Sequence, residues 1–236
     1  MITARIYIRD SEQRNLILSK ILKEGIKIEQ LIMSKLYPIV LKRIVKKELN
    51  AYYPAKLLLP ILAETKKEYI SILERTPAMG GSANAFINNM YLGAYLIALY
   101  KQIKDKVTIE EFRKIINQGL ENFRFLKIKA RKSNYFTPEA LQKKKMEAEW
   151  AVENKERYPW TWQLNIPNGK KPDGLYFEFK NCGLCHLCSA EGIPELTPLM
   201  CDTDYKMLEI AGCHLERTST LAEGADCCDF WIRPKT

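Results

Sequence analysis

The chain has 236 residues, of which 47% are hydrophobic, and a formal net charge of +9. A chain of this length can bury a large hydrophobic core without disulfide bonds. Its first residues lack the basic and then apolar build of a secretory signal, and the longest apolar stretch, residues 90–100, is too short to cross a bilayer. We therefore expect a cytoplasmic protein without a membrane partner.

The positive charge is unevenly distributed. From Cys182 onward there are 4 Lys or Arg and 9 Asp or Glu. Subtracting these from the totals of 37 and 28 leaves 33 basic and 19 acidic residues before Cys182. The lysines fall between apolar positions in segments such as LKRIVKKEL and LQKKKMEAE, which is typical of a solvated helix face. Because no nucleic-acid motif accompanies them, we expect no nucleic-acid partner.

Helical periodicity extends over residues 11–153. Apolar residues recur at spacings of three and four in segments such as EEFRKIINQGLENF. Thr108 followed by Glu111 forms a capping box, and Thr137 precedes a proline at the first helical position. These signals predict five or six helices, and we assign residues 1–156 to a helical region.

The pattern changes near Tyr158. TWQLNIP and GLYFEFK alternate apolar and polar residues around the turn-forming PNGKKPDG, which predicts two antiparallel strands. Residues 182–191 and 203–211 are predicted to be helical, and CHLERTST and CCDFWIR have strand character. We predict an α+β fold, with the helical region packed on a C-terminal antiparallel sheet of about four strands. Residues 157–236 carry this sheet and a cysteine-bearing helix, and both regions are expected to form one compact unit.

Seven cysteines crowd the last quarter of the chain. In a reducing compartment an odd number of cysteines is more typical of thiols or metal ligands than of disulfides. Cys182, Cys185 and Cys188 lie three residues apart, so they form one stripe if the segment is helical. The ferredoxin pattern is not followed, because Cys188 precedes SAEG rather than a proline.

Two kinds of cysteine site remain open on these grounds. A closed, structural zinc site could use four thiolates: Cys182, Cys185, Cys201 and Cys228. Alternatively, a thiol active site is favoured by Cys182, which begins a predicted helix whose dipole would stabilise a thiolate. Cys201 lies just before the helix predicted from Thr203, and we expect the same effect there. Buried cysteines that act as small apolar residues are the interpretation for Cys188 and Cys213.

The segments CGLCHLCSAEGIPELTPLMCDTDY and ERTSTLAEGADCCDFW resemble the C-terminal signature of the L-2-amino-thiazoline-4-carboxylic acid hydrolase family. The resemblance covers residues 182–231. TPAMGGSAN is similar to the family's glycine-rich turn before a helix, through Gly80, Gly81 and Asn84. The family name implies a hydrolase of cyclic amidines, acting on their carbon–nitrogen bonds, that opens a thiazoline acid to N-carbamoyl-L-cysteine or acts on a related compound. No organic cofactor is implied.

The positions shared with the family imply the site residues. Cys201 is the first candidate for a nucleophile, followed by Cys228 and Cys182. Asp204 and Asp229 are expected to hold the amidinium or to activate water as a general base. Four residues are predicted to bind the substrate: Arg217 through its carboxylate, Thr220, Asn84 and Glu195. For Arg217, an ion pair with Glu216 or Asp229 is the alternative.

The same C-terminal segment is also similar to the 4-vinyl reductase class of sensor domains. A non-catalytic domain that binds a small molecule or zinc is therefore the alternative function. The run TLAEGAD predicts a tight turn between two strands, with Gly224 at positive φ. The expected partner is a small-molecule substrate, and self-association into a homodimer is left open.

Overall fold

The computed structural model describes residues 11–123, 127–128, 135–167, 171 and 174–235, with side chains from Ile28 onward. Among these residues it has seven α-helices and one four-stranded sheet. The helices are α1 (Ser11–Leu49), α2 (Ala55–Arg75), α3 (Ile87–Ile103), α4 (Ile109–Asn122), α5 (Pro138–Asn154), α6 (Gly183–Ala190) and α7 (Thr197–Ile210). The strands are β1 (Gln163–Asn165), β2 (Leu175–Asn181), β3 (Cys213–Glu216) and β4 (Cys228–Pro234). The predicted α+β class is confirmed.

The helix starts follow the capping signals in the sequence. Thr108 accepts a hydrogen bond from the backbone N–H of Glu111, whose carboxylate accepts one from the backbone N–H of Thr108. Thr137 caps α5 by accepting from the backbone N–H of Ala140 at 3.2 Å. These contacts satisfy backbone donors that a helix leaves free in its first turn. Five helices precede β1 in the described residues, as predicted.

Helix α3 forms the centre of the helical layer. Twelve of its 17 residues are buried, as expected for a helix that is apolar on every side. It packs against α1, α2 and α6. Gly93 brings α6 close to α3, because a Cβ at this position would lie 2.3 Å from Leu184 Cδ2. The cysteine-bearing helix is thus seated directly on the helical core.

The sheet has the order β1-β2-β4-β3 and is antiparallel throughout. Phe177 faces Phe230 and Phe179 faces Cys228 across the central strand pair. The rings of Phe177 and Phe230 stack with centroids 4.9 Å apart. All four predicted strands are confirmed, whereas most of the predicted turn PNGKKPDG lies outside the described residues.

The helix predicted from Thr203 begins six residues earlier, at Thr197. Its second residue is Pro198, which fits a first helical turn because that turn needs no backbone N–H from it. Cys201 therefore lies inside α7 rather than before it, and the prediction that it enjoys a helix N-terminus is wrong. The predicted helix at residues 182–191 is confirmed as α6, with Cys182 at its N-cap.

One ion network ties the end of α6 to the helical layer. The side chain of Glu191, 5% exposed, bonds Arg75 on α2 and Lys101 on α3, each at 2.6 Å. Glu68 on α2 joins both cations. A single hydrophobic core includes residues from the helical layer and from the sheet. The division at residue 156 stays a prediction. No described helix has the length and apolar character to cross a membrane.

Gly119 sets the distance between α4 and α1. A Cβ there would lie 2.7 Å from both Cγ2 and the carbonyl oxygen of Ile44. At an exposed helix position Gly→Ala stabilises by about 1 kcal/mol. We expect Gly119→Ala instead to lower the free energy of unfolding by about 1–3 kcal/mol in urea titration, because a backbone oxygen cannot rotate away. Gln118→Ala, exposed on the same helix, is the control, and a stabilised Gly119→Ala would contradict this packing.

Candidate active site

A cavity of about 600 Å³ lies between the helical layer and the inner face of the sheet. Its walls come from α1, α3, α4 and α5 on one side and from β2, β4, α6 and α7 on the other. Aliphatic and aromatic side chains make up most of the lining. A small group of chemically active residues also lines it: Cys182, Cys201, Thr203, Asp204, Arg217 and Cys228. Five of these six were site residues predicted from the sequence.

Arg217 and Asp204 form an ion pair in the cavity wall. Arg217, with only 1% of its side chain exposed, donates from Nη2 to Asp204 Oδ2 at 2.8 Å and from Nη1 to the carbonyl oxygen of Cys201 at 3.3 Å. Its guanidinium carbon lies 3.9 Å from the ring centroid of Phe230. Asp204 keeps 39% of its side chain accessible because it faces the cavity. The pair therefore presents one cation and one anion to whatever the cavity holds.

Burial governs the protonation of this pair. Removal from bulk water raises the pKa of Asp204, and the neighbouring Arg217 only partly offsets this effect. Burial lowers the pKa of Arg217, but the charge and hydrogen bond of Asp204, together with smaller effects of Cys201 and Tyr205, outweigh it, so that pKa is raised overall. Arg217 thus stays a cation, while Asp204 is a carboxyl group that takes up a proton more readily than an exposed one.

The ion-pair alternatives for Arg217 are wrong. Glu216 pairs with Arg233 across the β3–β4 ladder. Asp229 accepts hydrogen bonds from Thr218 and Ser219, with backbone N–H distances of 2.8 and 2.7 Å. Both carboxylates are therefore occupied away from Arg217.

Cys182 is the thiol best placed to ionise. It caps α6, where free backbone N–H groups and the helix dipole favour a negative charge. The nearby Cys185 thiol and the backbone N–H groups of Cys185 and Leu184 lower its pKa to about 7, although burial opposes them. Cys182 also lines the cavity. It is therefore the cavity-lining thiol that ionises most readily.

The other cysteines near the site stay protonated. Burial and then the charge of Asp204 raise the pKa of Cys201. Burial also raises the pKa of Cys228, whose sulfur accepts a hydrogen bond from the backbone N–H of Leu221 at 3.1 Å. The pKa of Cys185 is raised because this residue donates to Cys182. The pKa of Cys182 is thus lowered and that of Cys201 raised, whereas the predicted roles of these cysteines as nucleophiles stay predictions.

Asp229 holds a loop rather than facing the cavity. Its carboxylate accepts four hydrogen bonds from the backbone N–H and hydroxyl groups of Thr218 and Ser219, the residues that follow Arg217. Burial raises the pKa of Asp229, but these bonds outweigh burial and the pKa is lowered. Asp229 therefore positions the loop that carries Arg217, and it does not line the cavity in which Asp204 lies.

The other three predicted substrate-binding residues also lie outside the cavity lining. Asn84 is buried and uses its whole amide, donating to Met79 O and Thr161 Oγ1 and accepting from the Phe86 N–H. Thr220 caps the turn Leu221–Glu223, which ends at Gly224 with the predicted positive φ of 85°. Glu195 is exposed in the turn Pro194–Leu196. Their roles toward a substrate stay predictions that rest on the family resemblance.

The zinc alternative gains no geometric support. Within the part of the chain that the structure describes, no group of three or more His, Cys, Asp or Glu side chains is arranged to hold a metal ion. This includes the four cysteines proposed for such a site: Cys182, Cys185, Cys201 and Cys228. All seven cysteines are free thiols.

Sequence reasoning missed Lys144 and the aromatic walls. Lys144, on α5, lines the cavity, with Nζ 2.5 Å from Glu147 Oε2 and 4.9 Å from the ring centroid of Phe86. The sequence predicts a solvated helix face for the run of three lysines that contains Lys144. A signal was present, since Lys144 shares a helical phase with Ala148 and the buried Ala151. The aromatic positions alternate along β2 and β4, and that pattern marks an inward face.

We expect iodoacetamide to alkylate Cys182 well before Cys201. Both thiols line one cavity, and Cys201 is the less buried of the two, so a faster reaction at Cys182 must come from its ionisation. The alkylation rate of Cys182, followed by peptide mass spectrometry across pH, should reach half its maximum near pH 7, the pKa of about 7 given by its hydrogen bonds. Cys185→Ala should move this midpoint upward. Faster modification of Cys201 at neutral pH would refute the assignment.

Comparison with known proteins agrees with the resemblance seen in the sequence. Residues 88–232, more than half of the chain, match the family model described as L-2-amino-thiazoline-4-carboxylic acid hydrolase. The match includes every candidate residue that lines the cavity. Neither the curated proteins nor the solved structures gave a match.

Proposed function

The chain belongs to the L-2-amino-thiazoline-4-carboxylic acid hydrolase family, and we propose that it hydrolyses L-2-amino-thiazoline-4-carboxylate or a related cyclic amidine acid. One observation carries this proposal. A thiol with a pKa lowered to about 7, Cys182, lines the same cavity as the ion pair of Arg217 and Asp204. Nucleophile, cation and proton carrier are the three groups that the reaction requires.

The ion pair is complementary to the charges of the proposed substrate. A thiazoline acid carries a carboxylate and a protonated amidine, so it can bridge the two members of the pair. The guanidinium of Arg217 suits the carboxylate because its N–H groups form a planar fork. Asp204 suits the amidinium, which offers N–H donors to a carboxylate. Binding would thus orient the ring without a further charged residue.

Cys182 would act as the nucleophile in two steps. Its thiolate attacks the ring carbon between nitrogen and sulfur, the ring carbon–sulfur bond breaks, and the released substrate sulfur takes a proton. Water then attacks the same carbon, the bond to Cys182 breaks, and the thiolate is regenerated. The net reaction adds one water. Because N-carbamoyl-L-cysteine keeps both nitrogens, the bond cleaved is carbon–sulfur, rather than the carbon–nitrogen bond inferred from the resemblance.

Asp204 would accept and donate the protons in these two steps. Its raised pKa makes it a better proton acceptor than an exposed aspartate, so it can take a proton from the attacking water. The same carboxyl group can return a proton to the departing sulfur. Arg217 would hold the Asp204 carboxyl group in position in both its protonated and its ionised form, since Nη2 lies 2.8 Å from Asp204 Oδ2.

Cys182→Ala should abolish turnover, and Cys201→Ala should retain it. We expect a loss of at least ~10³-fold in kcat for the first variant, because no other thiol in the cavity is ionised at neutral pH. Product is followed by mass spectrometry, and circular dichroism checks that each variant folds. Cys213→Ala, buried outside the cavity, is the control.

The contrary results discriminate among the alternatives. Loss of turnover in Cys201→Ala alone would restore the order of nucleophiles inferred from the sequence. Binding of the thiazoline acid by the wild-type chain without any product would favour the non-catalytic sensor instead.

Arg217→Lys should weaken substrate binding more than it slows the chemical step. Lysine keeps the charge but loses the two-pronged contact, so we expect KM to rise about tenfold or more with a smaller fall in kcat. Arg233→Lys is the matched control, since Arg233 pairs with Glu216 away from the cavity. Equal kinetic effects of the two substitutions would argue against a substrate contact at Arg217.

A further inference from the structure

The cavity is larger than the thiazoline acid requires. At roughly 30 Å³ for each water-sized group, a cavity of about 600 Å³ holds about 20 non-hydrogen atoms, whereas the thiazoline acid has about nine. About half of the space would stay empty around that substrate. Cavities of this size usually enclose most of a larger ligand.

The chemically active groups are concentrated at one end of this space. Helix α7 turns through Ala211 and Gly212 directly into β3 and packs on it, so the two run in opposite directions. Because β3 is antiparallel to β4, α7 and β4 run the same way. A backbone hydrogen bond from Lys235 to Gly212 joins their C-terminal ends. Both elements therefore progress along the cavity in the same order.

That order is from polar to apolar. Along α7 the cavity-lining residues are Met200, Cys201, Thr203 and Asp204, followed by Met207 and Leu208, so the polar groups end at Asp204. Along β4 they change from Cys228 through Phe230 to Ile232. At about 1.5 Å per helical residue and 3.4 Å per strand residue, these changes extend over ~10 Å or more. Beyond Asp204 on α7, and beyond Phe230 on β4, where Arg217 lies, the apolar wall continues for about 6–7 Å.

Helices α4 and α1 line the part of the cavity beside the second half of α7. Lys206 pairs with Glu121, which places the C-terminal part of α4 beside the second half of α7. Ile44 on α1 packs at Gly119 on α4. Among the residues that the structure describes, seven apolar side chains line the cavity in this region: Leu41, Ile44, Leu120, Phe123, Met207, Leu208 and Ile232. We call this set the apolar end.

We propose that the natural substrate is an amphipathic acid, with a polar head at Arg217 and Asp204 and an apolar tail of about eight to ten carbons that fills the apolar end. The head group rests on the proposed function, but the tail rests on the shape and lining of the cavity alone. Burial of a methylene group contributes about 0.8 kcal/mol, which is about fourfold in affinity. A tail of this length is therefore a large source of binding free energy.

The test is the binding of straight-chain carboxylates to the full chain by isothermal titration calorimetry. From butyrate to decanoate we expect affinity to rise about fourfold for each added methylene. In Met207→Trp, where a larger side chain occupies the apolar end, the rise should stop at a shorter chain. Met146→Trp makes the same change on the surface, since Met146 is 59% exposed, and should behave like the wild type. Met207→Phe serves if the tryptophan variant does not fold.

The possible outcomes test the tail site and the proposed hydrolase independently. Affinity independent of chain length, or the same chain-length dependence in Met207→Trp and Met146→Trp, would overturn the tail site. Turnover of the thiazoline acid that decanoate does not inhibit would uphold the hydrolase and also overturn the tail site. Length-dependent binding that Met207→Trp shortens, without any turnover of the thiazoline acid or of a thiazoline acid that carries an eight-carbon tail, would uphold the tail site and refute the proposed hydrolase.

Discussion

The ion pair between Arg217 and Asp204 is the interaction on which the rest of the site depends. A guanidinium with 1% of its side chain exposed is costly to bury unless its charge and N–H groups are satisfied. Asp204, the carbonyl oxygen of Cys201 and the face of Phe230 compensate the charge and the two Nη groups, whereas Nε has no hydrogen-bond partner among the described residues. The pair therefore joins α7 to the end of β3 and to β4. The ion pair thus holds these elements together at the part of the cavity wall where Arg217 and Asp204 lie.

The same pair also influences which thiol ionises. Burial raises the pKa of Cys201 most, and the negative charge of Asp204, one turn later on α7, raises it further, while Arg217 opposes them. Cys182 is stabilised as a thiolate by the start of α6 and by the thiol of Cys185. Cys182 and Cys201 look equivalent in the sequence, but their pKa values differ because Cys182 lies at the start of α6 and Cys201 lies inside α7. The ion network at Glu191 holds the far end of α6 on α2 and α3.

Local signals in the sequence predicted the features that depend on a few neighbouring residues. The capping box at Thr108, the cap at Thr137 and the positive φ of Gly224 are confirmed, because contacts within a few residues determine them. The strands are confirmed as well, because their side-chain period of two is visible in the sequence even though their partners are distant. The thiolate-stabilising position of Cys182 followed from the same reasoning.

Features that depend on long-range packing could not be predicted in this way. The start of α7 was placed too late, because the segment from Thr197 to Asp202 becomes helical while packed on the core. The partner of Arg217 was missed, since Asp204 approaches it only when α7 and β3 fold together. Lys144 was missed because its environment is formed by Phe86 and Phe177, which are distant in the sequence.

The account is tested most directly by trapping the covalent intermediate. The wild-type protein is mixed with L-2-amino-thiazoline-4-carboxylate, quenched with acid during turnover, digested and analysed by peptide mass spectrometry. The mechanism predicts an adduct on Cys182 heavier by the full mass of the substrate, because the ring opens without loss of atoms. An adduct on Cys201 or Cys228, or steady turnover in a Cys182→Ala variant, would contradict it.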